Sequence, residues 1–323
     1  MSAPRLGAVL IGRNEGARLL RCLESIRGAA TDVVYVDSGS TDGSVAAARA
    51  AGAEVVVLDT AQPFTAARAR NAGLDRLRQG PLPDYIQFID GDCELQPGWT
   101  HTALAFLEAN PKAAVACGRR RERFPEASVY NRLCDAEWNT PVGEARACGG
   151  DALMRRAALD QVGGYNPALI AGEEPELCAR LRQTGWQVWR LDHEMTLHDA
   201  AMTRFSQWWR RTRRAGHAYA EGAALHGGPP ERLGVAGRNR ALIWGAGLPL
   251  LALTGCLLTP LSQLLLLAWP AQILRLAARE GFDRTAWERG LFLTLGKIPE
   301  ALGVLEYHIR HLMQRPAGLM EYK

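Results

Sequence analysis

Tyr85-Ile86-Gln87-Phe88-Ile89-Asp90-Gly91-Asp92 is a short β-branched and aromatic run closed by two carboxylates one residue apart. It is too brief for a helix and reads as a buried strand. Side chains alternate along a strand, so positions i and i+2 share a face. The intervening Gly lets the backbone bend, and both acids can then converge at the strand's carboxyl end. Two hard oxygen donors at an open strand end suit Mg²⁺ or Mn²⁺, and such an ion can hold a diphosphate. The competing reading is a plain Asp-Gly-Asp turn after a strand. The sequence on either side decides between them.

Upstream, residues 7–11 read as a buried strand and Gly12-Arg13-Asn14-Glu15-Gly16 as the loop after it. Leu19, Leu20, Leu23 and Ile26 then recur at helical spacing. Residues 33–36 form a second strand, and Asp37-Ser38-Gly39-Ser40-Thr41-Asp42-Gly43-Ser44 a turn and helix cap before an Ala-rich helix at 45–51. A third strand at 54–58 and a helix at 64–77 lead to the 85–89 strand. Strands alternating with helices predict an α/β fold with a mostly parallel sheet and right-handed crossovers. Such sheets bind ligands beyond the carboxyl ends of their strands, where Asn14, Asp37 and Asp90 belong. The first loop lacks G-x-G-x-x-G and the chain has no Walker A sequence, which disfavours a dehydrogenase or P-loop enzyme.

Length and composition set the frame. With 323 residues the chain can build one large domain, or one domain plus an appendage. An apolar content of 47% excludes wholesale disorder. The net charge of +4 is unevenly spread: residues 204–240 hold eight Arg against only Glu221 and Glu231, a composition fit for phosphates or anionic headgroups. Seven Cys occur without a C-x-x-C pair, so zinc ribbons and thioredoxin-type sites are not expected, and free buried thiols in a reducing cytoplasm are. Arg13 and Glu15 interrupt the first apolar run too early for a signal peptide.

The ordered set Ile11-Gly12-Arg13-Asn14-Glu15, Val36-Asp37-Ser38-Gly39-Ser40-Thr41-Asp42, Ala69-Arg70-Asn71-Ala72-Gly73 and Asp90-Gly91-Asp92 resembles family 2 glycosyltransferases of the GT-A fold. The resemblance continues through Gly149-Gly150-Asp151-Ala152-Leu153, Gly163-Gly164-Tyr165, Gly172-Glu173-Glu174-Pro175-Glu176-Leu177 and His198, covering about residues 6–211. It implies a Rossmann-like nucleotide-sugar-binding domain with a mixed, mostly parallel sheet and flanking helices. Asn14 and Glu15 would lie beside the base and ribose of a nucleotide-sugar, in the first instance a UDP-sugar. Asp37 would contact the nucleoside, and Arg70 a phosphate or the base. Asp92 would be the main metal ligand, Asp90 would bind ribose or metal, and His198 would be a further ligand. A His joining two Asp makes Mn²⁺ as fitting as Mg²⁺, because imidazole is the softer donor. Relatives often carry two acids after the second strand, whereas Ser38 follows Asp37 here.

The same resemblance sets Asp151 beside the donor sugar, accepting from its hydroxyls. Gly172 opens a helix running to residue 184, and the family's general base falls on Glu174, with Glu173 as the alternative. Glu176 serves the helix dipole. The implied chemistry is direct displacement with inversion: Glu174 takes a proton from the acceptor hydroxyl, whose oxygen attacks the anomeric carbon opposite the diphosphate.

In the last third, Phe205, Trp208, Trp209 and Tyr219 interleave with Arg204, Arg210, Arg211, Arg213 and Arg214, giving an aromatic and a cationic side suited to a membrane interface. Nothing else supports nucleic acid as the partner. Gln207-Trp208-Trp209-Arg210-Arg211 partly resembles the Q-x-x-R-W signature of processive synthases, but Arg211 stands where the Trp belongs, which speaks against processivity. Residues 241–274 carry no formal charge and are divided at Thr259-Pro260. They read as an apolar hairpin that spans the bilayer or re-enters it, against a buried hairpin of a soluble domain. A mixed helix over 286–313, broken at Pro299, follows. The expected organisation is a catalytic domain over 1–200, an interface helix and linker over 201–240, the hairpin over 241–276 and an interfacial segment over 277–323. The expected protein works at the cytoplasmic face of the inner membrane. It passes sugar to a lipid-linked saccharide or polyprenyl phosphate in exopolysaccharide or envelope glycan assembly. The alternatives are a soluble glycosyltransferase acting on a protein or small molecule, and a non-catalytic nucleotide-sugar-binding scaffold.

Overall fold

Alternating runs of Val, Ile, Leu and Ala build the sheet that positions the acids. The computed structural model describes residues 4–314. Among the described residues nine strands form one sheet. They are β1 (Leu6–Gly12), β2 (Asp32–Asp37), β3 (Glu54–Val57), β4 (Tyr85–Asp90), β5 (Cys93–Leu95), β6 (Ala113–Glu122), β7 (Gly143–Ala145), β8 (Ala152–Arg155) and β9 (Gln187–His198). The order is β3-β2-β1-β4-β8-β6-β9-β5, with β7 on β9. The first four strands are mutually parallel, with helices Ala17–Ile26, Ser44–Ala50 and Ala66–Leu77 as crossovers. β8 runs antiparallel to both β4 and β6, so the sheet is mixed.

Register sets the site. Gly12 pairs with Asp37 and Ile11 with Asp90, so three neighbouring strands end at one level. Leu10, Val34, Tyr35, Ile86, Phe88 and Ile89 are fully buried beneath that edge. Each such side chain contributes about 1.5–3 kcal/mol over its exposed state. The one polar residue inside β4, Gln87, is satisfied by Trp99 Nε1–H at 2.9 Å. The 64–77 helix begins at Ala66, because Thr65 caps it by accepting the Arg68 N–H at 3.1 Å.

The chain divides into two compact units, residues 1–124 with 134–200, and residues 125–133 with 201–323. The sheet occupies the first. In the second, a helix over Phe205–His226 lies within the 201–240 stretch expected to hold an interface helix and linker. Its Trp208 packs with Tyr130 and Phe292, at ring separations of 6.3 and 5.0 Å. The apolar hairpin has one limb wound as a π turn over Leu242–Gly247 and an α-helix over Leu248–Gly255. The other limb runs from Pro260 to Arg279. It is long and apolar enough to cross a membrane by length and composition, and only 6% of its most apolar window is buried. The helix expected over 286–313 is two, Arg284–Leu295 and Lys297–Leu312, and the break falls at Gly296 rather than Pro299. Pro299 sits in the first turn of the second helix, where its missing N–H costs no intrahelical bond. All seven cysteines are free, six of them buried.

Candidate active site

Arg70, on the Ala66–Leu77 helix, is buried and lies at the centre of the acidic edge. Its Nη2 reaches Asp90 Oδ1 at 3.0 Å, and its Nη1 reaches Glu174 Oε1 at 2.8 Å and Glu173 Oε1 at 3.3 Å. Tyr165 covers the guanidinium with its ring centroid 5.5 Å away. One cation thus joins the acids closing β4 to those opening the Glu173–Gln183 helix. That helix starts where the chain's hydrophobic pattern requires, since Leu177, Cys178 and Leu181 bury its inner face. Burial and the charge of Glu173 push the Glu174 carboxyl up to about 7, with Arg70 opposing them. Arg70, expected to reach a phosphate or base, is engaged by three carboxylates here.

A second cation, Arg120 near the end of β6, approaches Asp90 Oδ2 at 3.2 Å and Asp151 Oδ2 at 3.5 Å. Its guanidinium lies 4.9 Å from the centroid of Trp138. His198 ends β9, opposite Cys93 on β5 and Glu122 on β6. Its Nε2 is 3.3 Å from Asp92 Oδ2, and its Nδ1 is 3.6 Å from Glu122 Oε2. Trp138 meets the imidazole edge-on at 4.7 Å. Burial, then the positive charge of Arg120, hold His198 below the ordinary histidine range. The neutral imidazole that results is the form that ligates metal.

Among the described residues, Asp92, Cys93 and His198 form one group whose donor atoms lie within 4.8 Å of one another, and Asp90, Cys93 and Asp151 a second. Carboxylate oxygens with one imidazole fit Mn²⁺ or Mg²⁺. Glu122 stands behind His198 as a carboxylate that can fix its orientation.

Three residues expected at the donor make hydrogen bonds within the chain. Asp151 is fully buried, with Oδ1 accepting the Asp90 backbone N–H at 2.9 Å and Oδ2 the Thr196 hydroxyl at 2.8 Å. It thereby holds the backbone of Asp90. Asp37 accepts from the Tyr35 hydroxyl at 3.1 Å and from the Gly39 and Ser40 N–H groups at 3.0 and 2.9 Å, so it shapes the loop after β2. Asn14 takes a left-handed conformation with φ 56°. Its Oδ1 accepts the Thr41 N–H at 2.7 Å and its own N–H donates to Ser40 Oγ at 2.8 Å, latching the first loop to the second. Glu15 pairs with Arg18 at 2.7 Å. Asn71, inside the Ala66–Leu77 helix, exchanges hydrogen bonds with the Tyr165 backbone at 2.7 and 2.9 Å. A Cβ on Gly150 would meet Arg70 Nη2 at 2.6 Å and Asp90 Oδ2 at 2.8 Å, so the glycine lets the segment before β8 run close against this ion pair.

Arg120, Glu122 and Trp138 were not legible as site residues. For the first two a signal exists: they are separated by two positions on one strand, and alternation sends both to the same face.

Residues 8–163 match the family model described as Glycosyl transferase family 2. The chain carries a family 2 glycosyltransferase domain. Glu173, Glu174 and His198 lie past the end of that match. Among curated proteins, the chain is 28% identical over 195 residues to the succinoglycan biosynthesis protein ExoA of Rhizobium meliloti, covering 55% of this chain and 58% of that protein. It is 34% identical over 172 residues to ExoU of the same organism, covering 48% and 50%. The chain therefore spans about half the length of the curated relatives it matches. Among solved structures, it resembles a mannosyltransferase from Pyrobaculum calidifontis in complex with GDP-Man and Mn²⁺. The TM-score is 0.63 at 18% identity, over 94% of this chain and 88% of that one. Glucosyl-3-phosphoglycerate synthase from Mycobacterium tuberculosis, with Mn²⁺, UDP-glucose and phosphoglyceric acid, gives a TM-score of 0.50 at 19% identity, over 70% and 81%. At these identities the likeness establishes the GT-A fold.

Proposed function

We propose that the protein transfers a sugar, with inversion, from a nucleotide-sugar to a lipid-linked saccharide or polyprenyl phosphate. A UDP-sugar is the first donor to test, and the cytoplasmic face of the inner membrane is the proposed place of work. The observation that carries this reading is the single buried guanidinium of Arg70, which ties Asp90 on the donor side to Glu173 and Glu174 on the acceptor side.

A polyprenyl phosphate would attack through an ionised phosphate oxygen and needs no base; with a saccharide acceptor, Glu174 accepts the proton of the acceptor hydroxyl. The hydroxyl oxygen then attacks the anomeric carbon from the face opposite the departing nucleoside diphosphate, and the configuration inverts. Glu173 raises the basicity of Glu174 by placing a second negative charge beside it, while Arg70 holds both carboxylates in one orientation. Asp92 and His198, with Asp90 beside them, would hold Mn²⁺ or Mg²⁺. When bound, that cation supplies positive charge for the leaving diphosphate. Asp151, Glu122 and Trp138 keep those groups in place.

Support for a lipid-borne acceptor comes from the exposed apolar hairpin of the second unit, and support for glycan assembly from the succinoglycan biosynthesis relatives. The test is a panel of nucleotide-sugars with Mn²⁺ or Mg²⁺ against membrane lipid extract, read as nucleoside diphosphate release. One donor should be consumed, and Asp92→Ala and Glu174→Gln should lose turnover while still folding. Full turnover in both Glu174→Gln and Glu173→Gln would overturn the assignment of the base. Binding of donor without turnover would instead favour a scaffold.

A further inference from the structure

The hairpin of the second unit is uncovered only over part of its length. On the first limb, Gly245 backs directly onto the Lys297 carbonyl, and Lys297 Nζ is ion-paired with Glu300 at 2.6 Å. On the second limb, the Ile273 carbonyl lies 2.9 Å from where a Cβ on Gly290 would stand. Glu280, just past that limb, is paired with Arg289 at 2.9 Å. Up to Gly245 and from Ile273 onward, the hairpin is therefore flanked by charged protein. What projects beyond is residues 246–255, the turn and residues 260–272. The ten residues of the first limb rise about 15 Å, and this shorter limb limits how deep the turn can lie.

The projecting part has the polar economy of a segment in lipid. Thr254 Oγ1 donates to the Leu250 carbonyl at 2.8 Å, and Ser262 Oγ and Cys256 Sγ both turn to the Ala252 carbonyl, at 3.0 and 3.1 Å. Gln263 at the surface directs Nε2 to Cys256 Sγ at 3.6 Å. Polar groups satisfied from within are what a hydrocarbon solvent demands. The limbs meet through small residues, since a Cβ on Gly255 would lie 2.7 Å from Ser262 Cβ. At the turn, Leu257 and Leu258 are 88% and 92% exposed. Trp244 and Trp269 stand at the bases of the two limbs, as interfacial aromatics do. Arg238 and Arg240 precede the first limb and Arg275 and Arg279 follow the second, suited to anionic headgroups.

We infer that this hairpin inserts into a single leaflet, with Leu257 and Leu258 near the bilayer midplane, and does not cross. Its free reach is about half of a hydrocarbon core about 30 Å thick. The inference rests on the membrane part of the proposed function and not on its chemistry, and its test is read without donor or acceptor.

The full chain, with Cys256→Ser to remove the half-exposed thiol and Leu258→Cys to carry a fluorophore, is mixed with vesicles of phosphatidylcholine and phosphatidylglycerol. The vesicles contain lipid-borne quenchers at the headgroup, mid-chain or chain end. Quenching should be strongest from the chain end, and an impermeant thiol reagent should fail to reach unlabelled Leu258→Cys from outside or from inside the vesicle. Reaction with reagent trapped in the lumen would show a crossing and overturn the inference. Headgroup-dominated quenching, or reaction from outside, would also overturn it. The double variant Leu257→Asp with Leu258→Asp should keep its helicity and melting temperature and lose vesicle co-sedimentation by about tenfold or more. Unchanged co-sedimentation would exclude the tip as the anchor. Loss of turnover with insertion intact would refute the chemistry and leave the anchor standing.

Discussion

Arg70 Nη1 lies 2.8 Å from Glu174 Oε1, and the contact is buried. Two further carboxylates, Asp90 and the buried Glu173, share the same guanidinium. Arg70→Ala leaves Glu173 and Glu174 without their cation, while Asp90 keeps Arg120, and should cost about 3–5 kcal/mol of stability, as loss of one partner in a buried ion pair does. Turnover should vanish with it. Arg70→Lys keeps the charge but not the fork, so it should recover part of the stability and little of the activity. Chemical denaturation and an assay of diphosphate release check both.

Glu174, pushed up to about 7 by burial and then by Glu173, is protonated below that pH and idle as a base there. The rate under kcat/KM conditions should therefore fall about tenfold per pH unit below about 7. Glu173→Gln removes a charge that raises this pKa, so the acidic limb should move to lower pH. A limb that stays in place would assign it to another group.

His198 is held neutral by burial and by Arg120, and lies 3.3 Å from Asp92. Asp92→Asn and His198→Gln should both weaken Mn²⁺ binding in a titration followed by electron paramagnetic resonance. Glu122→Gln, which touches the imidazole from behind, should weaken it by about 10–100-fold. Chelation should stop turnover, and Mn²⁺ should restore it.

Asp151→Asn replaces a carboxylate whose two oxygens serve the Asp90 N–H and the Thr196 hydroxyl. Leaving one of these buried partners unmatched should cost about 1–3 kcal/mol in thermal or chemical unfolding. Donor affinity should fall as well, because Asp90 loses its backbone anchor.

Gly150→Ala inserts a methyl 2.6 Å from Arg70 Nη2 and 2.8 Å from Asp90 Oδ2. The ion pair must shift, so activity should drop sharply while stability falls by about 1–3 kcal/mol. Calorimetry with the same assay separates the two effects.

The strand closed by Asp90 and Asp92 was legible because a β-branched run, a glycine and two acids leave few alternatives for a buried strand end. The helix opened by Glu173 and Glu174 was legible from its Pro and its apolar spacing. The contacts that Asn14, Asp37 and Arg70 make within the chain were not, because a polar residue has the same letter whether or not its own chain holds it. Asn14 and Asp37 latch and shape two loops, and Arg70 is held by acids 20 and 103 positions away. Arg120 and Trp138 escaped for the same reason: β6 and the segment after the Val129–Glu137 helix come together only through the sheet order. The Gly296 break escaped because proline was weighed without its place in the turn, where it is harmless.

Residues 125–133 belong with 201–323, although their neighbours on both sides belong to the sheet unit. The catalytic half thus cannot be excised as one uninterrupted piece of polypeptide. A truncation after Ala200 would carry an orphaned strip bearing Tyr130, whose Phe292 companion sits 5.5 Å away in the discarded portion, and Arg132, whose Glu288 counterion is lost with it. Such a fragment should be sticky and poorly soluble, and shortening this protein calls for replacing the strip rather than simply stopping early.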